Sequence, residues 1–168
     1  MNEVYHEKFV RLAEQRANRY RDALLLVCNL SDSRYDWTVQ EVDYYLDYVE
    51  DWLDDLGQAL FEAKAQKQTL RDPEVPNYLE VRQHSPRSQQ NANFHRLMTG
   101  RVNRVGAILG VMMNLANKSH YDYTQREAKE LLEWMKYTEK VAHSHFAGVG
   151  PFHFGKNEAL IEQEQDQR

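Results

Sequence analysis

Cysteine is nearly absent from this sequence: Cys28 is the only one in 168 residues. A lone thiol excludes an internal disulfide framework, and a reducing compartment is the expectation. Four prolines and seven glycines are too few for a loop-rich or collagen-like chain. No 18-residue apolar run occurs, and the opening MNEVYHEKF lacks the apolar core of a signal peptide. A cytoplasmic protein with no membrane partner follows as the expectation. Basic charge is also short, 21 Lys and Arg against 26 Asp and Glu, and the net charge of −5 argues against a dedicated nucleic-acid binder. No Gly-rich phosphate loop, nucleophile elbow or paired-carboxylate motif is present, so no catalytic residue, enzyme activity or cofactor is expected.

What the sequence does have is an internal repeat. Residues 9–19, FVRLAEQRANR, match residues 94–104, FHRLMTGRVNR, at Phe9/Phe94, Arg11/Arg96, Leu12/Leu97, Arg16/Arg101, Asn18/Asn103 and Arg19/Arg104. The offset of 85 continues through Leu24/Leu109 and Asn29-Leu30/Asn114-Leu115. One inserted residue then aligns Tyr35-Asp36-Trp37-Thr38 with Tyr121-Asp122-Tyr123-Thr124, followed by Glu41/Glu127 and Leu46/Leu132. A match of this length points to duplication.

Each copy reads as helix, turn, helix. Phe9, Leu12, Ala13, Tyr20, Leu24 and Val27 recur at helical spacing, as do Phe94, Leu97, Val105, Ile108, Leu109 and Met112. Thr38 with Glu41, and Thr124 with Glu127, are capping boxes that open the next helices. The spacing predicts helices over 4–30, 38–67, 91–116 and 124–146. The fold class is therefore all-α, a tandem duplication of an antiparallel helical hairpin forming a four-helix bundle. A single domain spans 1–168: repeat 1 over 4–67, a polar, Pro-containing connecting loop over 68–90, repeat 2 over 91–146 and a flexible tail over 147–168.

Two features break the bland pattern. Arg16 and Arg101 fall on the apolar stripes, and a buried guanidinium needs a carboxylate. Glu139, between Met135 and Ala142, is the one acidic residue in phase with the core, so an interior ion pair of Arg16, Arg101 and Glu139 is expected. A ligand-binding pocket built on those arginines is the lesser reading. The second feature is the 38–67 helix, whose residues 39–62 carry eight acidic side chains and no Lys or Arg. Asp43, Tyr44, Asp47, Tyr48, Asp51, Asp54 and Asp55 form a candidate docking face for a protein partner with a basic surface.

Residues 63–104, with eight Lys and Arg against three Asp and Glu, leave nucleic-acid contact by Lys and Arg of 64–104 as an alternative. His143, His145 and His153 are too weak a pattern for a metal site, and none is expected. His95-Arg96-Leu97 fails the phosphorelay spacing because Met98 and Thr99 precede Gly100. Cys28 reads as a small buried hydrophobe.

The combination F-x-R-L-x-x-x-R-x-N-R, N-L and Y-D-[WY]-T-x-x-E resembles small helical-hairpin proteins of unknown function from bacteria and phages. The resemblance covers both hairpins. It implies a bacterial or mobile-element origin and brings no active site. The functional expectation is a non-enzymatic protein–protein interaction module, an adaptor or an inhibitor, with homo-oligomers possible.

Overall fold

A computed structural model describes residues 1–62, 73–145 and 152–155. Five helices account for it: α1 (Glu3–Cys28), α2 (Val39–Glu62), a short α3 (Tyr78–Arg82), α4 (Gln89–Met112) and α5 (Gln125–His145). Both capping boxes form. The Glu41 N–H donates to Thr38 Oγ1 at 3.2 Å and the Thr38 N–H to Glu41 Oε1 at 3.2 Å. Thr124 and Glu127 repeat this at 2.9 and 3.1 Å. Reciprocal capping satisfies two otherwise orphaned donors and fixes where each helix begins.

The four long helices form an all-α bundle around Phe9, Tyr20, Tyr45, Phe94 and Trp134. The two helices of a hairpin, however, are not neighbours. α1 packs on α4 and α5, and α2 packs on α5 and α4, so α1 and α2 stand at opposite corners. Each hairpin straddles the other. This is how an apolar stripe wider than a coiled-coil seam is covered from two sides.

Contacts recur at the offset that aligns the sequence. Asn103 Oδ1 accepts the Val75 N–H at 2.7 Å, and its Nδ2 donates to the Val75 carbonyl. Asn18 does the same to Phe152, at 2.7 and 3.1 Å. Each asparagine clamps the backbone of a fully packed apolar residue that follows the second long helix of the other half of the chain. Val75 and Phe152, inside segments expected to be loop and flexible tail, are thus part of the core.

The expected interior ion pair is not there. Arg101 Nη1 donates to the Leu26 carbonyl at 2.6 Å, and Arg16 Nη1 donates to the Val111 carbonyl at 3.3 Å. These carbonyls lie in the last turns of α1 and α4, neither of which holds a basic residue of its own. Antiparallel packing therefore lets each helix cap the negative dipole end of its neighbour. The phase reading misplaced both arginines because the stripe is centred on the small residues Ala13 and Ala17 and on Met98 and Val102, which sets Arg16 and Arg101 at its edge. Arg16→Ala and Arg101→Ala should each lower stability by about 1 kcal/mol. Being remote from one another, they should add to within about 0.5 kcal/mol in urea unfolding.

Candidate functional site

The α2/α5 face carries a continuous run of exposed acid. Asp47, Glu50, Asp51, Asp54 and Asp55 of α2 are all exposed. Burial, then the neighbouring Asp51 and Asp54, raise the Asp55 carboxyl above the usual range. α5 answers part of this charge: Lys136 Nζ bonds Asp54 Oδ1 at 2.8 Å, and His143 Nε2 bonds Asp43 Oδ1 at 2.6 Å. Asp43 is thereby tied down and half-buried rather than free.

Tyr44 and Tyr48 do not belong to the exposed face. The Tyr44 hydroxyl donates to the Pro76 carbonyl at 2.8 Å, and its ring packs edge-on against Tyr45, Tyr48 and Tyr78. Tyr48 leans on Trp52. Tyr44 pins the segment before α3 to the bundle, which sequence periodicity had no means of placing.

Glu139 is buried, as its phase required, but its partner is His143. The ring Nδ1 stands 3.1 Å from Glu139 Oε1, four residues back on α5. Burial, then the nearby charges of Glu50 and Asp47, push the Glu139 carboxyl up to about 7 against the pull of His143. Burial pulls the His143 imidazolium down, but its hydrogen bonds to Asp43 and Glu139 outweigh that and raise its pKa. A groove of about 440 Å³ opens beside this pair, lined by Glu50, Asp54, Lys136, Lys140 and Ser144 among others. His153 lies elsewhere, 3.7 Å from Glu14 on α1. The side chain of His145 and residues 146–151 are outside the described residues, as are Lys64, Lys67 and Arg71.

A second polar cluster has a buried centre, Glu41, Tyr45, Asn91 and His95, and sequence reasoning missed it. Glu41, after closing its capping box, also accepts from Arg87 at 2.7 Å and Asn91 at 3.1 Å, and bonds His95 Nε2. His95 Nδ1 accepts from the Tyr45 hydroxyl at 2.8 Å, and the Tyr45 oxygen accepts the Tyr78 N–H at 3.0 Å. Tyr78 stacks on the imidazole. With Nε2–H donating to Glu41 and Nδ1 accepting from Tyr45, every polar atom in this chain is satisfied by a neutral imidazole. The signal lay in Asn91 and His95, which share the phase of Phe94, Met98 and Val102.

Burial lowers the His95 pKa, partly offset by the Glu41 charge. A base whose folded pKa is depressed stays neutral while the unfolded chain takes up a proton. Its stabilising effect is complete above the unfolded value of about 6.5 and is lost as pH falls below it. Denaturant unfolding between pH 7.5 and 5.5 should therefore show a stability loss that is smaller in His95→Gln. The difference in slope is at most about 1.4 kcal/mol per pH unit. An imidazole NMR titration placing the His95 pKa above 6.5 would contradict this assignment.

No protein-family model, curated protein or solved structure matches this chain. No helix among the described residues is long and apolar enough to cross a membrane.

Proposed function

We propose that this protein is a non-enzymatic interaction module, an adaptor or inhibitor, that docks a basic surface of a protein partner through the α2/α5 face. The observation that carries the reading is the exposed run Asp47, Glu50, Asp51, Asp54 and Asp55, which among the described residues α5 answers only with Lys136 at Asp54 and with His143, 4.0 Å from Asp47. Like charges one turn apart, such as Asp47/Asp51 and Asp51/Asp55, cost a helix about 0.2–0.5 kcal/mol each. A face that keeps this repulsion on a rigid helix presents a strong field to a cationic partner and steers its approach. The bundle keeps its titratable interior, Glu41, His95 and Tyr45, fully packed, which favours binding over chemistry.

Asp47→Lys, Asp51→Lys and Asp55→Lys combined should leave the helical circular dichroism intact and slightly raise stability by removing the repulsion. Affinity for an arginine-rich helical peptide should fall at least tenfold. Equal binding by the folded triple variant would sink the proposal.

A second reading, nucleic-acid contact, rests on α4, which has Arg96, Arg101 and Arg104 and no acidic residue. Arg101 is engaged with Leu26, which leaves Arg96 and Arg104 exposed. Gel shifts with duplex and single-stranded DNA are expected to show only binding weaker than micromolar at physiological salt. A tight shift that weakens steeply with salt would reverse the ranking.

A further inference from the structure

Carboxylates on the outside of a helix are common and by themselves mean little. Here they meet an imidazole whose orientation is already set. The donor atoms of Asp47, Glu50 and His143 lie within 4.8 Å of one another, with two donors from α2 and one from α5. His143 Nε2 points at α2, 2.6 Å from Asp43 Oδ1 and 4.0 Å from Asp47 Oδ1. Behind the ring, Nδ1 faces Glu139, whose side chain is only 7% exposed. A carboxylate holding the far nitrogen is the arrangement that presents the other nitrogen of a histidine to a metal. Glu139 has no counterpart reason to be buried there: the matching position in the first copy is Leu53, and packing alone is satisfied by leucine.

We infer that His143, Asp47 and Glu50 form a binding site for a divalent first-row transition ion, with Asp43 as an adjacent fourth donor and Glu139 as the positioning residue. Zinc-to-donor distances of about 2 Å imply donor separations of about 3–4 Å, so the cluster must close slightly. Asp47 and Glu50 are exposed, and rotating them inward disturbs no packing. One imidazole among carboxylates selects a zinc-like ion over Mg²⁺ or Ca²⁺, which take oxygen donors. On binding, Nε2 releases its proton to solvent and exchanges its contact with Asp43 for the ion, the Nδ1–H goes on donating to Glu139, and the ion relieves the repulsion among Asp43, Asp47 and Glu50. The neighbouring groove, lined by Glu50 and His143, leaves room for water to complete the coordination.

The site shares Asp47 and Glu50 with the docking face but rests on a different observation, the imidazole between them and Glu139. His143→Gln changes none of the docking carboxylates and should leave binding of the arginine-rich peptide by the metal-free protein in place. The test is isothermal titration of chelator-treated full-length protein with Zn²⁺ in excess Mg²⁺, with Co²⁺ absorption as the second readout. The expected result is one site in the micromolar range or tighter, weakened at least tenfold by His143→Gln and by Asp47→Asn. Asp47→Asn changes an exposed residue and keeps the fold. Glu139→Gln should weaken Zn²⁺ by about 10- to 100-fold and alter the Co²⁺ spectrum while the helical dichroism stays unchanged. His153→Gln, on the far side, should bind as the parent does. No Zn²⁺ binding by the parent would overturn the proposal, as would equal affinity in the folded His143→Gln and Asp47→Asn variants.

Discussion

Replacing Glu41 with leucine should cost about 3–5 kcal/mol, because it strands the buried donors of Asn91 and His95, at about 1–3 kcal/mol each, and removes the α2 cap. The carboxylate accepts from Thr38, Arg87 and Asn91 and bonds His95, and both Asn91 and His95 are fully buried. Burial alone would raise the Glu41 pKa, but the donors from Asn91, Arg87 and Thr38 outweigh it and hold the carboxyl below the usual range. Leucine removes every acceptor at once and leaves the donors stranded. Against a domain stability of roughly 5–15 kcal/mol, the midpoint of urea unfolding should shift far, with little change in slope.

The matched position supplies the control. Glu127 caps α5 in the same way and bonds His6 Nε2 at 2.6 Å, but both side chains are partly exposed, at 21% and 29%. Water replaces the lost acceptor there, so Glu127→Leu should cost about 1 kcal/mol, mainly the capping contribution. A Glu41/His95 double-mutant cycle should show a coupling above about 1 kcal/mol. A coupling below about 0.5 kcal/mol would mean that the interior network is not a unit.

Gly106→Ala is the other large effect. A Cβ at Gly106 would run into the Pro73 carbonyl oxygen, with Pro73 Cβ at 2.9 Å and Trp52 Cζ3 at 3.0 Å. Backbone lies on one side and a packed indole on the other, so neither yields cheaply. Overpacking of this kind costs about 1–3 kcal/mol. The expected response is stronger than a stability loss alone. The 73–78 segment should detach from α2 and α4, breaking Val75–Asn103 and Tyr78–Tyr45, and amide exchange should quicken at Val75 and Tyr78. Gly57→Ala is the milder comparison, because its Cβ meets only the flexible end of Leu132.

The fold was legible because local signals agreed. Two T-x-x-E boxes located helix starts, and apolar spacing gave the long helices. What was not legible was adjacency. An apolar stripe says that a helix has a partner and not which one, so α1 and α2 read as neighbours when they face each other across the bundle. Phase misplaced Arg16 and Arg101, which lie at the edge of their stripes and whose acceptors are backbone carbonyls, which no sequence pattern advertises. Glu139 was found by its phase but given the wrong partner. Its neighbour four residues on, His143, was the nearer answer. The acidic residues of α2 read directly from composition, whereas Tyr44 was lost to the 73–78 segment, whose contacts with the bundle are entirely long-range.

The most direct test of the docking proposal is chemical-shift mapping of the bundle during titration with an arginine-rich helical peptide at physiological salt. The expected shifts cluster on Asp47, Glu50, Asp51, Asp54 and Asp55 of α2 and on Lys136 and Lys140 of α5, leaving α1 and the outer face of α4 unmoved. Shifts centred on α1 and α4, or no saturable shifts at all, would contradict the assignment of the α2/α5 face as the docking surface.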